Sequence, residues 1–326
     1  VYVLKIPERT AAVILAAGII LCGCNGVDQA EGVESAQARL EQFYASAALV
    51  ENRADTFAAN LCIISGTADA ADSQISAEAA GVFGIDNQQV VYQKHPFERM
   101  YPASVSKILT ALVAIKYGNL QASVTVGQEA VIAEAGASLC NIKPGDTLTL
   151  EQLLYGLMLP SGNDAGAAIA VYMEGSIEGF SDLMNQEARA LGATDSHFVN
   201  PHGLHDENHY TTLYDLYLIF NEALKYPEFR TMIGTSAYAA EYMDGDGNPK
   251  TQTWKNSNQY LSGEQESPQG QLILGGKTGT TQAAGSCLII VSENEHQEEY
   301  ISVILKASDR ARLYEDMTNI ISKIVN

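Results

Sequence analysis

The chain has 326 residues and a formal net charge of −20, and 46% of its residues are apolar, with 16 Tyr and 8 Phe among the larger ones. That composition supplies a sizeable core for one large domain with appendages and excludes a disordered chain. The acidic excess, with no basic run anywhere, excludes a nucleic-acid partner and opposes adsorption to anionic lipid.

Lys5 and Arg9 precede AAVILAAGIILC, a short apolar stretch that runs into Gly23 and Cys24. A positive segment followed by such a stretch reads as an export signal and is too short for a stable membrane span. The stretch LCGC, residues 21 to 24, resembles the bacterial lipoprotein signal, which implies lipidation of Cys24 and removal of residues 1–23. The alternative is an uncleaved N-terminal anchor. Either way the folded part lies outside the cytoplasm, and the lipid reading places it on the extracytoplasmic face of the membrane. Residues 24–74 read as a tether that docks in part, with one helical piece, ESAQARLEQFYASAAL, and a short apolar NLCII. The cysteines at 22, 24, 62, 140 and 287 form no CxxC pair and suggest neither a zinc knuckle nor a disulfide scaffold. Cys62 and Cys287 read as small buried hydrophobes.

From residue 75 to 326 the pattern is that of one domain. GVFGI, DNQQ and VVYQKH form a hairpin turning at Asp86–Asn87. A helix follows from about Ser104 to Tyr117, closed by Gly118 and Asn119. Residues 120 to 240 read as mostly helical, with a capping box from Thr149 to Gln152. The amphipathic pieces DAGAAIAVYME, FSDLMNQEARALG and TLYDLYLIFNEAL come next. The chain then returns to strands in QLILGGKTGTT, GSCLIIVS and EEYISVILKAS, and closes on a helix with Leu313, Met317, Ile320, Ile321 and Ile324 on its apolar side. The order predicts an α+β fold, an antiparallel sheet of about five strands flanked by helices and split by an inserted all-helical region.

Three short motifs stand out from this frame. In YPASVSK, Ser104 and Lys107 lie three residues apart at a helix start, so both side chains share one face. A serine hydroxyl becomes a nucleophile when a base takes its proton, and a lysine serves when burial or a neighbouring cation lowers its pKa. The helix N-terminus adds N–H groups that stabilise developing negative charge. In LPSGNDAG, Ser161 and Asn163 offer a second hydroxyl and an amide in a glycine-containing turn. In LGGKTGTT, glycines on both sides of Lys277 and Thr278 leave room beside a strand edge for an extended peptide. Taken singly, these are a helix cap, a helix–helix turn and a tight turn. A phosphate loop is excluded for the third, because GxxxxGK[ST] is not matched.

Together and in this order, SVSK, SGN and KTG, with the flanks RMYPAS, LLYGLMLPSGNDA and NPHGL, resemble the low-molecular-weight serine D-alanyl-D-alanine carboxypeptidases, which are penicillin-binding proteins. The resemblance covers roughly residues 75 to 326. It implies the β-lactamase/transpeptidase-like fold, with Ser104 as the acylated nucleophile and Lys107 as its base. Ser161 would relay a proton to the leaving amine, and Asn163 would hold Lys107 and the peptide. Lys277 would raise the positive potential of the cleft, Thr278 would bind the substrate's terminal carboxylate with Arg310 helping to read it, and the N–H groups of Ser104 and Thr280 would receive the oxyanion. The implied partners are peptidoglycan stem peptides, β-lactams as covalent inhibitors, and the membrane through the N-terminal lipid. No cofactor is implied.

Rival readings draw on the same residues. A D,D-transpeptidase would pass the same acyl group to an amine, and a non-catalytic sensor of muropeptides or β-lactams would keep the fold without turnover. The intact set of Ser104, Lys107, Ser161 and Lys277 argues against the sensor. A β-lactamase would need a deacylating carboxylate, and neither Glu187 nor Glu207 sits in a stretch like that class's ExxLN element. His202, His205 and His209 have the spacing HxxHxxxH beside Asp206 and Glu207, but their Gly-, Pro- and Asn-rich segment reads as a loop, so no metal is expected.

Overall fold

The computed structural model describes residues 61–64 and 72–324. The signal at 1–23, Cys24 itself and most of the tether at 24–74 lie outside the described residues. The main sheet comprises β1 (Ala79–Gly84), β2 (Val90–Lys94), β7 (Gln271–Thr281), β8 (Gly285–Asn294) and β9 (Glu299–Ala307). These pair antiparallel in the order β2-β1-β9-β8-β7, which leaves β7 as an edge strand.

The sheet is covered on both faces, and β8 shows how the sequence arranges this. Its apolar run CLIIV is buried throughout. Successive side chains of a strand point to opposite faces. Ile289 and Val291 therefore enter one core with Ile301, Val303 and Leu305 of β9, while Leu288 and Ile290 enter another. The second core is closed by α8 (Arg310–Ile321) through the predicted Leu313, Met317, Ile320 and Ile321. Asp309 caps that helix, its side chain accepting from the Arg312 N–H.

The inserted region holds α1 (Lys107–Tyr117), α2 (Leu150–Met158), α3 (Asn163–Glu174), α4 (Ile177–Ala190), α5 (Leu213–Ala223) and α6 (Pro227–Gly234). α1 is buried continuously from Lys107 to Ala114, so its N-terminal lysine is carried into the interior with the apolar residues. α2 starts on the predicted box, with Gln152 N–H donating to Thr149 Oγ1 and Thr149 N–H to Gln152 Oε1.

Two features differ from the sequence reading. The residues from Ala103 to Ser106 form a turn of 3₁₀-helix, and the α-helix begins only at Lys107. The region from 120 to 240 also carries strands. β3 (Ser123–Thr125) and β4 (Thr147–Thr149) join β5 (Ala237–Met243) and β6 (Pro249–Lys255) in a second, four-stranded antiparallel sheet ordered β3-β4-β5-β6. After β6 a short link leads to the single turn α7 (Gln259–Ser262).

Residue 62 is stitched to this domain. The Cys62 N–H donates to Tyr217 Oη at 2.9 Å, the Cys62 carbonyl accepts from Tyr214 Oη at 2.7 Å, and the thiol points at the Gly84 carbonyl. Cys62, Cys140 and Cys287 are buried free thiols. Among the described residues no helix is long and apolar enough to cross a membrane.

Candidate active site

Three pieces of chain distant in sequence meet at the start of α1. The first is the turn that carries Ser104. Ala103 sits at φ 48°, a backbone region that side chains rarely adopt, and its carbonyl faces Gly203, where a Cβ would fall 2.0 Å from it. Only glycine fits there, so the residue 203 loop presses directly on the turn. Residues held in sparsely populated backbone regions cluster at functional sites. Ser161 is a second instance, at φ 66°.

Lys107 lies fully buried behind Ser104, and its Nζ donates to Ser104 Oγ at 2.9 Å. Two further acceptors fix it, Asn163 Oδ1 at 2.6 Å and the carbonyl of His202. Burial, reinforced by the charge of Lys277, pushes the Lys107 ammonium well below its ordinary 10.5. Once neutral, the amine can give its two N–H bonds to Asn163 Oδ1 and the His202 carbonyl, which leaves its lone pair facing the Ser104 hydroxyl, the geometry a base needs.

The second piece is the Ser161–Asn163 turn between α2 and α3. Ser161 is nearly buried, and its hydroxyl accepts from Lys277 Nζ at 3.0 Å. Lys277 belongs to the third piece, β7, and is itself 1% exposed. Desolvation lowers its pKa to about 7. Its ammonium also donates to the Thr278 carbonyl at 2.9 Å. The hydroxyls of Ser257 and Thr278 pair at 2.6 Å, which ties the link after β6 to the motif strand.

Gly279 explains the glycine of KTG. A Cβ there would meet Ser104 N at 2.9 Å, Val105 N at 3.0 Å and the Pro102 carbonyl at 3.1 Å, all of them backbone. The edge strand therefore runs against the turn that carries Ser104, with no space for a side chain. Among the described residues no strand pairs with its outer backbone groups.

The geometry thus brings together Ser104, Lys107, Ser161, Asn163, Lys277 and Thr278. Thr280 follows on the same strand with its side chain exposed. Arg310 opens α8 with an exposed side chain, in a cleft shared with Gln259, Gln265 and Tyr314. The structure does not bond Arg310 to Lys277 or Thr278. Tyr314 Oη accepts from the Gln259 N–H, two residues beyond Ser257, so that cleft lies one hydroxyl away from Thr278's support.

Sequence reasoning missed two contributors. Ser257 sits in NSN with no motif around it. His202 contributes its carbonyl, which no side chain announces; the flank NPHGL and the histidine spacing both included the residue, but neither pointed to its backbone. The histidine rings serve elsewhere. His202 Nδ1 accepts from Leu204 N–H and His209 Nδ1 from Val199 N–H, and burial drives both rings down to about 3, hence neutral. His205 is exposed and packs edge-on against Tyr101. Among the described residues no group of three His, Cys, Asp or Glu side chains could hold a metal. Glu187 is occupied at the far end of α1, bonded to Lys116 Nζ at 2.7 Å and Tyr117 Oη at 2.6 Å.

The chain is similar to known proteins in both sequence and fold. It is 36% identical over 162 residues to D-alanyl-D-alanine carboxypeptidase DacF of Bacillus subtilis, covering 49% of this chain and 42% of DacF. It thus spans less than half the length of that relative. The D-alanyl-D-alanine carboxypeptidase of Streptomyces sp. strain K15 is 34% identical over 248 residues, 72% of this chain and 83% of that protein. The crystal structure of the Streptomyces K15 DD-transpeptidase superposes with a TM-score of 0.71 at 30% identity, covering 80% of this chain and 98% of that one. A sequence profile described as D-alanyl-D-alanine carboxypeptidase matches residues 66–309. With the motif residues assembled around one cleft and a profile match over most of its length, the chain belongs to the D-alanyl-D-alanine carboxypeptidase family of serine enzymes.

Proposed function

We propose that the protein is a serine D,D-carboxypeptidase that removes the terminal D-alanine from peptidoglycan stem peptides and is acylated by β-lactams at the same serine. The observation that carries this reading is the buried Lys107 amine at 2.9 Å from Ser104 Oγ. In the reaction, Ser104 Oγ attacks the carbonyl between the last two D-alanines while its proton passes to Lys107 Nζ. The oxyanion is received by the backbone N–H groups of Ser104 and Thr280, on the two segments that Gly279 brings together. The proton on Lys107 passes on through Ser161, whose hydroxyl Lys277 holds, to the leaving nitrogen; the C–N bond breaks, D-alanine departs and Lys107 is a free base again. Water then hydrolyses the Ser104 ester.

Asn163 fixes Lys107 and faces the peptide. Lys277, Thr278 and Arg310 supply the positive and hydroxyl groups for the substrate's carboxylate, against the acidic field of the rest of the surface. A lipid on Cys24 holds the enzyme to the extracytoplasmic face of the membrane.

The test is D-alanine release from a peptide ending in D-Ala-D-Ala, with intact-mass detection of a penicillin adduct. Wild type gives both, and Ser104→Ala gives neither. Adduct without release would favour a sensor, and neither from the wild type would end the reading. A second outcome has its own support, since relatives from the K15 strain bear both the carboxypeptidase and the transpeptidase name. An added amine acceptor such as glycine measures it directly: transpeptidation appears as a new peptide product at the expense of hydrolysis.

A further inference from the structure

Asp164 stands immediately after the asparagine that holds Lys107, and the acyl-transfer steps give it no part. It is 1% exposed, and no cation lies in ion-pair contact with it among the described residues. Its carboxylate instead accepts three backbone N–H bonds, from Cys140 at 2.9 Å, Ile142 at 3.2 Å and Ala165 at 3.0 Å. Oxygens that receive N–H donors on both sides suit the ionised form, which accepts only. The same loop is held again at Asn163, whose N–H donates to the Ser138 carbonyl at 2.8 Å, and the Cys140 carbonyl is held by Trp254 Nε1 at 2.9 Å.

The charges around the site make this carboxylate conspicuous. Lys107 and Lys277 are both buried, and each would carry a positive charge at its ordinary pKa. The ionisable groups that bear on Lys107 come from every side. β7 contributes Lys277, α3 contributes Asp164, the 138–142 loop contributes Cys140, and the 199–212 loop contributes His202 and His209. Both histidines are neutral, and the Cys140 thiol is pushed well above its ordinary 9.0 by burial and then by Asp164, so it too is neutral. Asp164 is left as the carboxylate that bears on Lys107.

We propose that Asp164 is a positioning residue for the acylation step: one buried carboxylate that pins the 138–142 loop to the Ser161–Asn163 turn and, next in the chain to the Asn163 that holds Lys107 Nζ at 2.6 Å, sets how tightly Lys107 keeps its proton. This inference rests on the proposed role of Lys107 and deepens it.

The test is the pH dependence of kcat/KM for D-alanine release, with Asp164→Asn beside wild type. The acidic limb reports Lys107 becoming a free base. Removing the negative charge makes the ammonium less favourable, so the limb moves to lower pH by about one unit. A purely structural role for Asp164 would lower activity at every pH and leave the limb where it was, and that result overturns the proposal. If Asp164→Asn does not fold, carbon-13 NMR of the Asp164 carboxyl carbon in the wild type decides. An ionised carboxylate throughout the pH range of turnover supports the proposal, and a protonated one overturns it. A wild type that releases no D-alanine and forms no penicillin adduct would overturn the function and this inference together. Normal wild-type turnover with an unmoved limb overturns the inference alone.

Discussion

Lys277 has the chemistry of any lysine, and its properties come from where β7 puts it. An amine taken out of water loses most of the hydration that stabilises its charge. Its pKa is about 7 in the folded chain against 10.5 for the exposed group. Below about pH 7 both folded and unfolded chains hold the proton, and the cost of burying the charge is borne in full. Between the two values the folded chain sheds the proton first and the cost shrinks, and above 10.5 it is gone. Lys277→Met should therefore stabilise the protein at neutral pH by an amount on the order of a few kcal/mol. Thermal unfolding at a series of pH values should show that gain falling steadily as the medium becomes alkaline. A gain that stays constant with pH would mean that Lys277 keeps its ordinary pKa in the folded chain. Residue types at this scale were the most legible part of the sequence. SxxK, SGN and KTG each name a side chain whose chemistry needs no fold to be recognised. The His202 carbonyl and the Ser257 hydroxyl were not legible, because the first belongs to the backbone and the second is a common residue in an ordinary link.

At the scale of elements, β7 does two things at once. It is the last described strand of the sheet, and its glycine lets it touch the turn that carries Ser104. Gly279→Ala puts a methyl group against three backbone atoms that cannot swing away. The strand and the turn must separate, and the groups on each lose their register. Penicillin acylation of Gly279→Ala should fall by about 100-fold, the usual penalty of a displacement near 1 Å in a catalytic arrangement. The unfolding temperature should change far less, because an edge strand can shift outward without opening the core. Near-wild-type acylation would show that the close approach is incidental. The main sheet was legible because β8 and β9 are long apolar runs bounded by turns. The second sheet was not, for reasons visible in its strands. β3 and β4 have three residues each. β5 carries apolar residues on its exposed side as well, Ala237, Ala239 and Met243, which blurs the alternation. β6 turns Lys250, Gln252 and Trp254 inward, and the first two are satisfied by polar partners, Asp146 and the Cys140 carbonyl. A strand whose inner face is mostly polar gives no hydrophobic signal. The early start of the expected helix has a local cause: serines and a proline suit a 3₁₀ turn as well as a first α-turn, and the strain at Ala103 comes from packing against residue 203.

For the molecule as a whole, the acidic surface and the reading of Cys24 bear on where it works. A net charge of −20 opposes adsorption to anionic lipid headgroups, so a hold on the membrane would have to come from an anchor, either the lipid proposed on Cys24 or the uncleaved apolar stretch. Cys24→Ser should move the protein from the membrane fraction to the soluble fraction and abolish incorporation of a labelled fatty acid. Retention of the variant in the membrane would point to the uncleaved anchor instead. The stitched position of Cys62, between Tyr214 and Tyr217, gives the arriving chain a fixed entry point on the catalytic domain.

Ser104 and Lys277 are separated along the chain by more than half its length, yet the serine's neighbours come from both sides of that interval. Until β7 packs against its turn, Ser104 lacks part of the site in which we propose that it is acylated. A labelled penicillin added to cells during export should then mark only finished molecules, and the ratio of marked to total chain would serve as a running census of maturation.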